Sequence, residues 1–496
     1  MTPHTATPQQ RREMTALQVL VALFLLLRLY FDLNADLVGD EAYYWMWGQH
    51  LNWSYFDHPP LHAWLLALVN QIFGWSLMSA RLLTWASLAL VLAIFWDWGP
   101  RLNPQAPRLW FWRTASLYLA SPFFFAMTTI AYNDHLLVAL GLLSIHCFAR
   151  FAAHYAAKNK SGWVPWLYGA AIALGATVLT KYNGVVIGLG FAAAILLRKD
   201  LRPLLRSPHP YLAALLAIAI QAPVFYWNLT EGFASYRFHI HDRWGDQPWH
   251  LALLPPLAFV VLNVVMLSPF LLRPLVRMLR HGPATPFEGH VRTVSVATMA
   301  ISSVAFFAVT MAIGGYFYWN ILAFVGIIPL LNRWIGNRVQ FWLHSIFGLV
   351  CAAALVSNFA VIPLAPLFNY PDRGTSINVD WATVAYHMRA AQQAYPTDLI
   401  AGTRYSTTSQ IGFAMHTPNA VPIAVEPLLE YGYWFDPATI AGKSALILTD
   451  EPDGSPVIVN IQSHFAKATM IDAFNIVRFG RTIYSWRIFR GEDYHP

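Results

Sequence analysis

The chain has 496 residues, of which 57% are hydrophobic and only 11% are charged. Soluble domains carry about 25% charged residues, so an ordinary soluble domain is excluded. The net charge of +7 is accounted for by where the basic residues fall along the chain, and no nucleic-acid partner is expected.

A helix of about 20 apolar residues crosses a hydrocarbon core of about 30 Å. Eleven segments of that kind are expected, at 15–33, 78–98, 110–130, 134–153, 163–180, 184–198, 210–228, 250–272, 293–314, 318–334 and 340–364. The stretch 163–198 also admits a different division. The first segment follows Arg11 and Arg12, as a signal peptide would, but lacks a small-residue cleavage site and carries Arg28 near its far end. It therefore reads as a retained anchor after a short tail, 1–14. Eighteen Lys and Arg, from Arg11 through Arg338, fall in one set of loops; Lys181, Arg237 and Arg243 fall in the opposite set before residue 370. That bias places the N-terminus in the cytoplasm. Cys147 and Cys351 both lie in apolar segments and read as packing residues.

The first outer loop, 34–77, contains GDEAYYWMWGQHLNWSYFDHPP (39–60), which has Asp40, Glu41, Asp57 and His58 among aromatics and no Lys or Arg. Aromatic residues at a membrane surface commonly form a belt. A belt accounts for Tyr43, Tyr55 or the tryptophans singly, but not for the neighbouring acids. Residues 41–50 and 61–73 are expected as short helices lying on the membrane. Pro59 and Pro60 are expected to bend the chain so that Asp57 and His58 turn toward the first acid pair.

The clusters AYNDH (131–135), TKYNG (180–184), YWNLTEGFASYRFHIHDRWGDQ (226–247) and GGYFYWN (314–320) fall on that same face. A transporter places ionisable groups at mid-membrane, whereas one-sided acids, imidazoles and rings indicate an interfacial active site. Beyond the Pro-rich VIPLAPLFNYP, residues 370–496 read as a small α/β domain. Its elements are a helix at 381–394 and strand-like runs such as DLIAG and SALILTD. Eleven crossings put this domain outside.

GDEAYYWMWGQHLNWSYFDHPPLHAWLLAL resembles the first outer loop of the bacterial GT-C membrane glycosyltransferases, the group of the lipid A aminoarabinose transferase and, more distantly, the protein O-mannosyltransferases. The resemblance continues through RLLTWASLALVLA, TKYNGVVIGLG, TRYSTTSQIGFAMH and YGYWFDP, and so covers most of the chain. It implies transfer of a sugar, with inversion, from a polyprenyl-phosphate carrier to an acceptor at the outer membrane face. Asp40 matches the family's first-loop catalytic base, with Glu41 beside it, and Asp134 matches the acid opening the fourth helix. Tyr-Asn-Asp stands there in place of the usual Thr-Pro-Asp.

Lys181 falls in the family's Ser-Lys-Tyr-Thr-like segment. With Arg81 and Arg28 it is expected to hold the donor phosphate, and Arg237 and Arg243 are further candidates. Asp57 and His58 replace the Glu-Lys of the aminoarabinose branch. With Tyr43, Tyr55, Tyr318 (or Tyr316) and Asn320 they are expected to contact substrate. Asp57, His239 and His241 form a candidate set for zinc or magnesium.

The expected architecture is a polytopic α-helical membrane protein with GT-C-like topology. It has about eleven transmembrane helices in a domain at 15–369 and a periplasmic α/β domain at 370–496. The expected activity is glycosyl transfer to an envelope glycolipid of the lipid A type, or a related glycan, in the bacterial inner membrane. A protein O-glycosyltransferase, a transporter or lipid flippase, and a noncatalytic scaffold are the alternatives.

Overall fold

The computed structural model describes residues 7–157, 162–242, 254–368, 370, 372–423 and 428–496; Lys158, Lys160 and Arg243 lie outside the described residues. The chain divides into two compact units. One comprises the chain up to Arg28, His58–Leu61 and Leu82–Ala353; the other comprises Leu29–Asp57, His62–Arg81 and Ala354–Pro496. This division differs from the linear one expected from the sequence, because most of the first outer loop groups with the C-terminal α/β segment.

In chain order the first helices are α1 (Pro8–Asn34), α2 (Gly39–Gln49), α3 (Leu61–Phe73), α4 (Leu77–Leu102), α5 (Pro107–Leu119), α6 (Pro122–Thr129), α7 (Asn133–Ala156) and α8 (Val164–Thr180). They are followed by α9 (Val185–Leu197), α10 (His209–Ala219) and α11 (Ala222–Thr230). Among the described residues, five helices are long and apolar enough to cross a membrane unbroken, or up to seven if two bent pairs each count as one span. Of the other expected segments, 163–180 and 184–198 form single shorter helices, α8 and α9, and the rest are helical but interrupted, with proline the usual cause. Its missing N–H and its ring end the preceding helix, while its fixed φ suits the first turn of the next. Pro122 thus divides 110–130 into α5 and α6. A 46° bend separates α10 from α11, with Pro223 in the first turn of α11. Ser268 (φ 102°) and Pro269 impose an 82° bend within 250–272, and 318–334 is a run of short turns around Gly326 and Pro329.

In the other unit, a five-stranded mixed sheet has the order β2-β1-β3-β5-β4. Its strands are β1 (Leu399–Gly402), β2 (Val421–Pro422), β3 (Ala445–Thr449), β4 (Phe465–Arg478) and β5 (Arg481–Tyr494). The first three pair in parallel, and β5 runs antiparallel to β3 and β4. Alternation along β3 sends Leu446 and Leu448 into one core, with Val384, Met388 and Trp486, and sends Ala445 and Ile447 into another, with Ile458 and Phe489. Helix Trp381–Ala394 begins at Asp380, whose carboxylate caps the Thr383 N–H. The β4–β5 hairpin turns at Phe479 and Gly480, both with positive φ, as a two-residue hairpin turn requires.

The start of α2 lies against helix Tyr405–Met415. A Cβ at Gly39 would sit 2.7 Å from the Ser406 Cβ, so the approach depends on glycine. Gly39 N–H donates to Asn378 Oδ1 (3.1 Å), and the Gln410 amide donates to that same oxygen (2.8 Å) and to Leu37 O (2.9 Å).

His50, at the end of α2, stacks on Trp434 (4.6 Å) and meets Pro418 O through Nε2 at 2.9 Å. Burial holds its pKa below the ordinary 6.5. The folded state therefore binds this proton less readily than the unfolded chain, and stability present above pH 6.5 declines as pH falls toward the lowered folded value. The melting temperature of detergent-solubilised protein is expected to drop between about pH 7.5 and about pH 5, with a smaller drop in His50→Gln; equal pH slopes would show that His50 carries none of it.

Candidate active site

Two adjacent acids open α2 and have different surroundings. Glu41 is buried. Its Oε2 accepts the Val38 N–H (2.9 Å), and both its oxygens pair with Arg81, from Nε at 3.0 Å and Nη2 at 2.9 Å. Arg81 is itself 0% exposed. Its Nη1 donates to Ala35 O at 2.8 Å and its Nη2 to Asp36 O at 3.0 Å, and its guanidinium lies 4.6 Å from the Phe31 ring. The expectation that Arg81 meets a donor phosphate is corrected: this guanidinium binds the end of α1 to the start of α2. Glu41 is likewise a partner of Arg81 rather than a group presented to substrate.

Asp40, one residue earlier, stays partly exposed. Its Oδ1 accepts the Tyr405 hydroxyl at 2.9 Å. It lies in the first turn of α2, where the helix dipole favours negative charge.

Tyr43 is buried on the next turn. Its hydroxyl donates to Asp57 Oδ2 (2.8 Å) and accepts the Glu430 N–H (2.9 Å). Burial, reinforced by the charges of Asp57 and Glu430, raises its pKa well above the usual tyrosine value, so it remains a proton donor. Its ring packs 4.8 Å from Tyr405 and 6.1 Å from Tyr431. The buried Glu430 carboxylate accepts the Phe56 N–H at 2.5 Å, fixing the backbone next to Asp57. Tyr55, expected at the substrate, is a core residue: it is 0% exposed, stacked on Trp47 at 4.7 Å, and its hydroxyl donates to Trp47 O.

The second constellation belongs to the helical unit. Lys181 caps the end of α8, and its Nζ donates to both oxygens of Asp134 at 2.9 Å. Both side chains are buried, and the ammonium lies 5.2 Å from the Tyr318 ring. Asp134 stands in the first turn of α7, between buried Asn133 and buried His135; the latter's Nδ1 is 2.8 Å from Ser87 Oγ. His58 and His239 have ring centroids 6.1 Å apart, with Tyr182 edge-on to His239.

Arg28 is fully buried, bonded to Thr128 O and placed over Trp85. Asn320 joins Asn263, Ser302 and Ser303 in a buried amide–hydroxyl network. Neither is presented as the phosphate or substrate contact expected of it. His241 and Arg237 are exposed, as is Tyr316. Among the described residues, no group of three or more His, Cys, Asp or Glu is placed to hold a metal ion.

Tyr405, Glu430, Asn378 and Gln410 are site residues that sequence reasoning did not single out. Tyr405 lies within TRYSTTSQIGFAMH, and Glu430 directly precedes YGYWFDP. Their partners in the first outer loop stand hundreds of residues earlier in the chain, and no local periodicity signals such pairing.

The family model for dolichyl-phosphate-mannose-protein mannosyltransferases matches residues 57–227. The lipid A galacturonosyltransferase RgtD of Rhizobium johnstonii is 27% identical over 231 residues. That match spans 45% of this chain and 45% of the relative's length. Among solved structures, ArnT from Cupriavidus metallidurans superposes with a TM-score of 0.62 in its apo state. It covers 95% of this chain and 97% of that one at 14% identity. The same protein bound to undecaprenyl phosphate gives 0.62 at 15% identity over the same shares. At these identities the likeness shows a shared fold.

Glu41→Gln breaks a buried ion pair and leaves Arg81 with the more distant carboxylate of Asp32 at 4.0 Å, a loss approaching about 3–5 kcal/mol. Asp40→Asn, at a partly exposed side chain hydrogen-bonded to a hydroxyl, is expected to cost about 1 kcal/mol. Thermal unfolding of purified protein should therefore separate the two neighbours; equal melting temperatures would remove the structural role given to Glu41.

Proposed function

We propose that the chain is a glycosyltransferase of the GT-C type that transfers a monosaccharide from a polyprenyl-phosphate carrier to a hydroxyl or phosphate of an envelope glycolipid of the lipid A type; the family model matching residues 57–227 and the fold shared with ArnT support this reading. The likeness to RgtD and to ArnT supports the acceptor and carrier classes. The observation that carries the reading is the contrast between Glu41, consumed by Arg81, and Asp40, left partly exposed with one oxygen oriented by Tyr405.

In this mechanism an acceptor hydroxyl donates its proton to Asp40 as its oxygen attacks the anomeric carbon. The new carbon–oxygen bond forms on the face opposite the carrier, the bond to the carrier phosphate breaks, and polyprenyl phosphate leaves with inversion at the sugar. The leaving group is already a stable anion, so cationic stabilisation matters more than a general acid. Lys181 supplies that cation. A phosphate arriving at the ammonium replaces part of its pairing with Asp134, and Asp134 sets its position beforehand. Tyr43 holds Asp57 in place, and aromatic faces in the loop stack against sugar.

The full reading places eleven crossings in the bacterial inner membrane, with the N-terminus cytoplasmic and the C-terminal α/β segment periplasmic. The basic-residue bias supports it. The broken helices are compatible with it, because interrupted backbone is tolerated in a membrane where it is buried in protein.

The test compares envelope glycolipids by mass spectrometry from cells expressing wild type or Asp40→Asn at matched protein level. A sugar-sized mass on lipid should be present in the first and absent in the second, with purified Asp40→Asn slower by about 10²–10⁴-fold. Tyr405→Phe should retain more activity, about tenfold below wild type, the scale of one charge-assisted hydrogen bond. Identical lipid profiles, or a change confined to glycoproteins, would overturn the glycolipid acceptor.

A further inference from the structure

Three arginines converge at the N-terminal end of α1. Arg12 of α1, Arg113 of α5 and Arg338 of helix Arg338–Ala360 line a cavity of about 700 Å³ together with Glu13 and Trp342. Among the described residues, Glu13 is the one carboxylate in the lining. It lies 3.8 Å from Arg113 and 3.6 Å from Arg338, and the Arg338 side chain remains 63% exposed. The lining therefore carries an excess of two positive charges, three arginines against one glutamate, held at ion-pair distances longer than a tight hydrogen bond.

Directly adjoining it is a second cavity of about 370 Å³, which shares Ala16 and Trp342 with the first. This one is a groove between α1 and helix Arg338–Ala360. Val19, Leu20 and Leu23 form one wall, and Ile346 and Leu349 belong to the other. Leu20 is buried in its floor, while Val19, Leu23 and Ile346 stay exposed along it. From Ala16 to Leu23 the helix rises about 10 Å, enough for the first carbons of an acyl chain.

We propose that this basic cavity and the apolar groove leading from it form a binding site for an anionic glycerophospholipid of the bilayer. The arginines take the phosphodiester, and one acyl chain lies in the groove. Charge and shape carry the assignment together. Guanidinium groups match phosphate oxygens in planar, multidentate geometry. Basic pockets between membrane helices on the cytoplasmic side are where anionic headgroups are held. An adjoining groove whose one polar residue, Ser345, is buried and gives its hydroxyl to Phe341 O selects a lipid over a free anion. Arg12, Arg113 and Arg338 have no part in the proposed transfer chemistry, so the site is separable from it.

The test uses full-length protein, delipidated in detergent and titrated with phosphatidylglycerol, phosphatidylcholine of the same acyl chains, undecaprenyl phosphate or inorganic phosphate. Thermal unfolding and native mass spectrometry are the readouts. Phosphatidylglycerol should raise the melting temperature and remain bound in the mass spectrum. Phosphatidylcholine and inorganic phosphate should do neither. Arg338→Gln, at a largely exposed side chain, should weaken phosphatidylglycerol binding about tenfold. Arg113→Gln/Arg338→Gln should abolish retention, and Ala16→Trp, which blocks the junction without changing charge, should reduce it. Equal stabilisation by phosphatidylcholine, full reproduction of the shift by phosphate, preference for undecaprenyl phosphate, or unchanged binding by Arg338→Gln and Ala16→Trp would each overturn the proposal.

Discussion

The Arg81–Glu41 pair is the constraint from which the geometry of the first outer loop follows. A guanidinium with no solvent exposure must place all its N–H groups on acceptors, and here they fall on one carboxylate and on carbonyls at the end of α1. Its contacts run from the last turn of α1, at Phe31 O and Asp32 O, to the residues just after it, at Ala35 O and Asp36 O, where helix carbonyls lack partners within the helix, so one side chain closes α1 and at the same time fixes where α2 begins. Lysine cannot substitute: its ammonium has three donors and no planar fork. With Glu41 held this way, the side chain before it is rotated about 100° around the helix, and Asp40 reaches the Tyr405 hydroxyl. Two neighbouring acids thus separate into an anchor and a reactive candidate.

The C-terminal segment contributes to this arrangement through polar contacts that bind backbone as well as through ring packing on Tyr43, Trp45 and His50. Asn378 and Gln410 take up the donors and acceptors around Leu37 and Gly39, and Glu430 takes the Phe56 N–H. Each of these side chains is buried, so an unmade bond would cost about 1–3 kcal/mol. Such contacts fix a loop more sharply than apolar packing, which tolerates sliding. The helical unit handles its polar groups in the same manner: Asp134 and Lys181 neutralise each other, and Asn320 spreads its amide over three partners.

Sequence patterning was most informative where one residue type has one physical use. Long apolar runs marked the helices, and the unusual density of acids and rings marked the first outer loop. Proline explains most of what was missed in the helices: a hydropathy window averages across Pro122, Pro223 and Pro269, while the backbone breaks at each of them. For the site, residue type alone did not separate Asp40 from Glu41, nor Lys181 from Arg28 and Arg81, because the distinction lies in partners supplied from elsewhere in the chain. Tyr55 and Asn320 carry groups suited to sugars, yet the fold uses them in its interior. The β4–β5 hairpin was legible in principle, since the alternation in FNIVRFGRTIYSWRIF brackets a Phe-Gly turn.

The same reasoning explains why a loop of this kind is rich in aromatics and poor in cations. A carboxylate intended to take a proton must not be satisfied permanently by a nearby Lys or Arg, and Glu41 shows what such satisfaction does. Tyrosine hydroxyls are the better neighbours. They orient a carboxylate with one directional bond while carrying no charge, and burial keeps Tyr43 protonated across the working pH range. Placing tyrosines beside Asp40 and Asp57, and pairing the Arg81 guanidinium with Glu41, therefore orders the acids of the loop by different means.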